Sequence, residues 1–176
     1  VAMPVLDVRA DAARAFEVIA GGGIALIPLD VAYAVLGNAG EAIRRIFEAK
    51  QRGLEKPNGM FGSTALFDEV YKVDGRRRDI VRAVTEDFDL PFSIVAPFRT
   101  EHPIFRDLDA IALERSTKRG TLDMLMNAGP LHDALAELSL ARGMAILGSS
   151  ANKSLAGSKF RLEDVEPEIR AAADLE

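Results

Sequence analysis

The chain has 176 residues, 48% hydrophobic and 28% charged, with a formal net charge of −5. That is enough for one domain with a real core, and the acidic balance gives no general argument for nucleic acid or an anionic membrane as partner, though it leaves room for a local basic site. The absence of cysteine excludes disulfides, thiolate metal sites and Cys nucleophiles, and the two histidines, His102 and His132, lack metal-ligand spacing.

Met3 reads as the native start, and no charged region followed by a long apolar stretch opens the chain, so no signal peptide is expected. The most apolar window, residues 18–29, holds three glycines and a proline and is too short to span a bilayer. A cytoplasmic protein with no membrane partner is the expectation.

In chain order, Asp11 is placed to cap a helix running to Ala20, with Ala15, Phe16 and Ile19 on one face and Gly21 to stop it. Residues 24–28 read as a buried strand. Residues 41–50 form an amphipathic helix, apolar at Ala42, Ile43, Ile46 and Phe47 and charged opposite. A polar loop over 51–58 follows, then a strand near 59–62 and helices over 64–71 and 77–88. Residues 92–97 look like a second buried strand, and 111–113 like a short one among charged loops. A strand at 121–126, a helix at 131–142 and a third buried strand at 144–147 lead into the polar run 148–158. A last helix is predicted from about Leu162. Short apolar strands alternating with amphipathic helices predict a single α/β domain over residues 1–176, built on a mixed sheet.

Two polar loops carry candidate chemistry. Lys50, Arg52 and Lys56, on a loop with Gly53 and Pro57, can converge on an anion, since arginine offers a bidentate fork and lysine a movable charge. Cations also simply favour helix C-termini. Gly148-Ser149-Ser150-Ala151-Asn152-Lys153-Ser154 follows a buried strand, where ligands favour the carboxyl end of an open sheet. The plain alternative is a Ser/Asn turn.

Taken together, Lys50-Gln51-Arg52 after a helix and Ser150-Ala151-Asn152 after a late strand resemble the signature of the Sua5/YrdC (Sua5/YciO/YrdC/YwlC) family. The resemblance extends to residues 22–28, Asp30, Tyr33, Lys56-Pro57 and residues 91–97, and covers roughly residues 10–165 in order. It implies a twisted mixed sheet flanked by helices with a concave, basic face, in the short single-domain form. Family enzymes condense L-threonine, bicarbonate and ATP to threonylcarbamoyl-adenylate and pyrophosphate, for threonylcarbamoylation of tRNA. By resemblance, Lys50, Arg52 and Lys56 would face the triphosphate, Lys50 and Arg52 with a catalytic role, and Ser150 and Asn152 would hold the nucleotide, with Mg²⁺. A nucleotidyltransferase of this type works by positioning and charge neutralisation.

The acceptor pocket departs from the family pattern. Its usual Pro-Thr-Asp-Thr-Val-Tyr-Gly-Leu segment reads Pro28-Leu29-Asp30-Val31-Ala32-Tyr33-Ala34-Val35, so both threonines are gone. Phe61 stands where a histidine is common. The later Val-Arg-x-Pro stretch falls at Met124-Leu125-Met126-Asn127, without its arginine. A carboxylate set against Leu29, Val31 and Phe61 without a cation would be disfavoured by several kcal/mol or more. A different, less polar acceptor is therefore expected, unless Arg99, Arg115, Lys118 or Arg119 supplies the missing charge. Asp30 either orients a water or metal or caps a turn. The family's terminal strand is not found before Glu176, which predicts a longer chain or a less closed nucleotide pocket. A non-catalytic module binding tRNA or double-stranded RNA through Arg76, Arg77, Arg78 and Arg82 is the other reading, against which stands a solvated helix start. Both histidines, beside Glu101 and Asp133, are expected at the surface.

Overall fold

The computed structural model describes residues 7–176; Met3, and with it the reading of the amino-terminal segment, lies outside the described residues. Helix α1 (Val8–Ala20) leads into strands β1 (Ala25–Ile27) and β2 (Ala34–Gly37), then helix α2 (Gly40–Ala49). Strand β3 (Gly59–Phe61) precedes helices α3 (Thr64–Val70) and α4 (Gly75–Arg82), the latter extended by a π-turn over 83–87. Next come β4 (Phe92–Pro97), α5 (Ala110–Ser116), β5 (Thr117–Lys118), β6 (Thr121–Met126), α6 (Pro130–Arg142), β7 (Leu147–Ser150) and α7 (Pro167–Ala172).

Among the described residues the strands form one mixed sheet, in the order β1-β2-β7-β3-β6-β4 with β5 paired to β6. Only β3 and β6 run parallel; the other pairs are antiparallel. The alternation of side chains along each strand divides the apolar residues between two faces. Leu26, Val35, Met60, Met124 and Leu147 meet the apolar sides of α2, α3, α4, α5 and α7. Ala25, Ile27, Ala34, Leu36 and Phe61 meet α1 and α6 on the other face. Each fully buried Ile, Leu or Phe in these layers contributes about 1.5–3 kcal/mol. The second face is only partly covered. Beyond α6, β4 lies at the sheet edge with Ser93, Val95 and Pro97 exposed.

Several expectations are corrected. Asp7, not Asp11, caps α1 by accepting the Ala10 N–H at 3.1 Å, and Asp11 lies in the first turn. Residues 111–113 are helical: Asp109 caps α5 through the Ala112 N–H (2.9 Å) and also accepts the Gly40 N–H at 2.6 Å. The burial of Ala112 and Ser116, four residues apart, gives α5 a buried face that a strand reading misses. Strand β4 is half-exposed rather than buried, because it is an edge. Strand β7 starts later than expected, so Ser149 and Ser150 sit on the strand itself. His132 is fully buried, its Nε2 donating to the Leu125 carbonyl at 3.0 Å and its ring packed on Phe61 with centroids 4.5 Å apart. His102 caps a short 3-10 turn and pairs with Glu69 at 3.1 Å. Near the end of the described chain, Leu175 bridges in parallel to Ala25, with the Leu26 N–H donating to the Leu175 carbonyl at 2.8 Å. No helix among the described residues is long and apolar enough to cross a membrane.

Candidate functional site

The uncovered part of the second sheet face carries a cavity of about 360 Å³. Its floor comes from alternating positions of neighbouring strands: Phe61 on β3, Asp123 and Leu125 on β6, Ser93 on β4. Gly59 and Gly148 pair across β3 and β7 and leave part of that floor without side chains. A Cβ at Gly148 would fall 2.2 Å from the Val35 carbonyl oxygen, so the close approach of strands demands glycine. The segment carrying Leu29, Val31 and Tyr33 forms one wall, and Arg52 and Pro57 form the opposite rim.

The rim is set by the way α2 ends. The Arg52 N–H donates to the Phe47 carbonyl at 2.9 Å and the Gln51 N–H to the Glu48 carbonyl at 3.0 Å, with Gln51 left-handed at φ 51°. These are the paired bonds of a Schellman stop, in which glycine usually occupies the left-handed position. Gln51 there costs about 1 kcal/mol. The turn directs Lys50 inward and Arg52 to the cavity.

Lys50 is only 1% exposed, and its Nζ donates to the Ser150 carbonyl. The Ser154 N–H returns a bond to the Lys50 carbonyl at 3.2 Å, so the two polar loops recognised in the sequence are physically joined. Burial, and then the neighbouring Arg52 charge, bring the Lys50 ammonium down to about 7, against a weaker opposing pull from Glu166. Arg52 donates from Nε to the Lys56 carbonyl (2.7 Å) and from Nη2 to the Pro57 carbonyl (2.6 Å). These bonds hold its guanidinium at the rim, where burial lowers its affinity for the proton and Glu55 partly restores it. Ser150 lines the cavity. Asn152 lies just behind it, with Nδ2 bonded to the Lys153 carbonyl at 2.8 Å and Oδ1 buried without a partner. The loop that follows is strapped to the wall by the Tyr33 N–H, which donates to the Lys159 carbonyl at 2.7 Å.

Not every candidate residue joins this group. The Lys56 side chain is exposed and does not line the cavity. Asp30 is exposed and faces a neighbouring cleft at Gly129, where a Cβ would meet its Oδ1 at 2.5 Å. Leu29, Val31, Tyr33 and Phe61 do line the cavity together. None of the proposed replacement cations reaches it: Arg99 bonds the Glu69 and Tyr71 carbonyls, Arg115 lies over the Phe47 ring, and neither Lys118 nor Arg119 lines the wall. Among the lining residues Arg52 is the cation, and the face expected to be basic carries a carboxylate opposite it. Among the four arginines read as an RNA patch, Arg78 and Arg82 pair with Asp68 and Arg77 pairs with Asp74.

Asp123 and Ser93 are the residues missed in the sequence. Ser93 Oγ donates to Asp123 Oδ1 across β4 and β6, and burial raises the Asp123 carboxyl above its usual range, against the pull of this bond and of the Met124 N–H. The pattern of Thr121-Leu122-Asp123-Met124-Leu125-Met126 marks an alternating strand, and only strand register reveals that Asp123 meets Ser93. Among the described residues no three His, Asp or Glu side chains gather to hold a metal.

No family model matches the sequence, and no curated protein matches it by sequence. Solved structures do match by fold. A hypothetical protein from Streptococcus mutans superposes with a TM-score of 0.75 at 22% identity, over 92% of this chain and 63% of that one. Sua5 of P. abyssi, complexed with L-threonine, gives a TM-score of 0.68 at 21% identity over 96% of this chain, which spans 45% of the Sua5 chain. E. coli YciO gives 0.67 at 20% identity, over 95% of this chain and 76% of that one. This chain therefore spans less than two thirds of the first two structures. The α/β architecture built here around a mixed sheet is the fold of the Sua5/YciO/YrdC family.

Proposed function

We propose that the chain binds ATP at the Lys50–Arg52 rim and acts as a nucleotidyltransferase resembling threonylcarbamoyl-adenylate synthase, with an acceptor less polar than threonine. The observation that carries this reading is the joining of the two loops: Lys50 donates to Ser150, and Ser154 donates back to Lys50, beside the Arg52 guanidinium. A guanidinium at the rim with the buried Lys50 amine behind it suits phosphate oxygens, and a site made by positioning needs no protein nucleophile. A Lys50 ammonium near neutrality would be drawn to its charged form by an arriving triphosphate. Mg²⁺ would enter on the triphosphate, as is usual for this hard cation. Its chemistry there is neutralisation of the leaving pyrophosphate.

The acceptor end supports the second half of the reading. P. abyssi Sua5 was solved in complex with L-threonine, whereas the wall that the sequence resemblance assigns to the acceptor here presents Leu29, Val31, Phe61 and Leu125. A threonine carboxylate would lie against apolar carbon without a nearby cation.

Calorimetric titration of ATP with Mg²⁺ tests the proposal, on the wild type and on Lys50→Ala/Arg52→Ala, with and without threonine and bicarbonate. The expected outcome is wild-type binding that weakens at least thirtyfold in the variant and is indifferent to threonine. Strengthening by threonine would restore the ordinary acceptor, and no ATP binding by the wild type would overturn the reading.

A further inference from the structure

We propose that the acceptor end of this cavity takes the ammonium group of a small aliphatic or aromatic amine, held by Asp123 and set in position by Ser93. The inference rests on the proposed function for the site's context and deepens it by naming a substrate class.

In β6 the even-numbered Leu122, Met124 and Met126 are buried in the core, so Thr121, Asp123 and Leu125 share the opposite, open face. In β4, Val95 stands opposite Asp123 and Ser93 opposite Leu125, which puts the Ser93 hydroxyl on the diagonal from the Asp123 carboxylate. That hydroxyl donates to Oδ1, and Oδ2 lies on the Gly59 side, where a Cβ at Gly59 would approach it to 3.1 Å. Glycine at position 59 leaves that side of the carboxylate open to the cavity.

Asp123 is half-buried, and no cationic side chain among the described residues pairs with it. A carboxylate in such a place is satisfied by donors. It has one side-chain donor from the protein, the Ser93 hydroxyl, and room for more on the cavity side. An ammonium supplies a compensating charge and up to three N–H donors. Around this anchor Phe61, Leu125 and Val31 offer apolar surface to the body of the ligand. A carboxylate ligand would meet the opposite conditions at this end, a like charge and no cation. The volume, about 360 Å³, is suited to a small molecule.

Three probes of matched skeleton test the headgroup: isoamylamine, 3-methylbutanol and isovalerate. They are titrated at pH 7.5 into the protein without nucleotide, and amide chemical shifts are followed by NMR. The expected result is that isoamylamine binds at least tenfold more tightly than the other two, with the largest shifts at Phe61, Asp123 and Leu125. In Asp123→Asn, which keeps the shape and one acceptor oxygen, the amine should fall to the level of the alcohol while alcohol binding stays unchanged. Equal binding of isovalerate by the wild type, no binding of the amine, or a preference that survives in Asp123→Asn would overturn the inference. Because no nucleotide is present, amine binding without ATP binding removes only the nucleotide reading. ATP binding without an amine preference removes only this one.

Discussion

At the Lys50 end of the cavity the polar side chains are tied to backbone: Lys50 to the Ser150 carbonyl, and Arg52 to the carbonyls of Lys56 and Pro57. At the Asp123 end one carboxylate and one serine stand on an open sheet face among Phe61, Leu125 and Val31. The first arrangement fixes positive charge where the proposed nucleotide would bring phosphate, and it depends on a strained helix stop at Gln51. The second has no cation to offer, and its one charge is negative. Two halves of one cavity can thus be altered independently, because one is built from loops after α2 and β7 and the other from the register of β4 against β6.

The sharpest way to break this contrast is to invert the acceptor end. Leu125→Arg combined with Asp123→Ser removes the carboxylate and supplies a guanidinium on the same face of β6. Threonine affinity should rise at least tenfold above the wild type, since an arginine–carboxylate pair is charge-assisted and bidentate. Isoamylamine binding should be lost in the same protein. Calorimetric titration of both ligands decides the matter, and unchanged threonine affinity would mean that position 125 does not govern acceptor choice.

The two ends were also unequally legible in the sequence. The apolar stripe of Ala42, Ile43, Ile46 and Phe47 announces α2, and its C-terminus places Lys50 and Arg52 on one turn; the resemblance then links them to Ser150 and Asn152. Asp123 is silent because an acid on the outer face of an alternating strand is unremarkable until Ser93, thirty positions earlier, is brought beside it by pairing. His132 misled for a related reason. Its neighbour Asp133 is polar, but the helix turns the imidazole itself onto Phe61 and the Leu125 carbonyl. The strand expected at residues 111–113 failed because three residues fit either period, and the Asp109 cap, shared with Gly40, decided for helix.

A smaller effect concerns stability at the Lys50 end. The Lys50 ammonium, at about 7 in the fold against its ordinary 10.5, is disfavoured by burial. Between those values the unfolded chain holds the proton and the folded chain does not, so Lys50 makes stability rise with pH from about 7 upward. Lys50→Met removes both the burial cost and the slope. Urea denaturation should show the variant about 1–2 kcal/mol more stable than the wild type at pH 6. That advantage should shrink by pH 9, when the wild-type amine is neutral. A difference that does not change with pH would show that Lys50 keeps its ordinary affinity for protons.

The smallest effect tests whether Ser93 merely occupies the edge of the sheet or positions the carboxylate. Its hydroxyl stabilises the charged form of Asp123, against the burial that raises the carboxyl above its usual range. Ser93→Ala should therefore raise the Asp123 carboxyl further, and the pH below which isoamylamine binding fades should move upward with it. Well above the range in which the carboxyl titrates, the loss should be only two- to threefold, from a less well-held Oδ1. A purely structural role would weaken binding equally at every pH. NMR titrations of the amine at pH 5 and pH 7.5, on wild type and variant, separate the two: a larger variant effect at the lower pH assigns Ser93 to the carboxylate, and an equal one returns it to the strand edge.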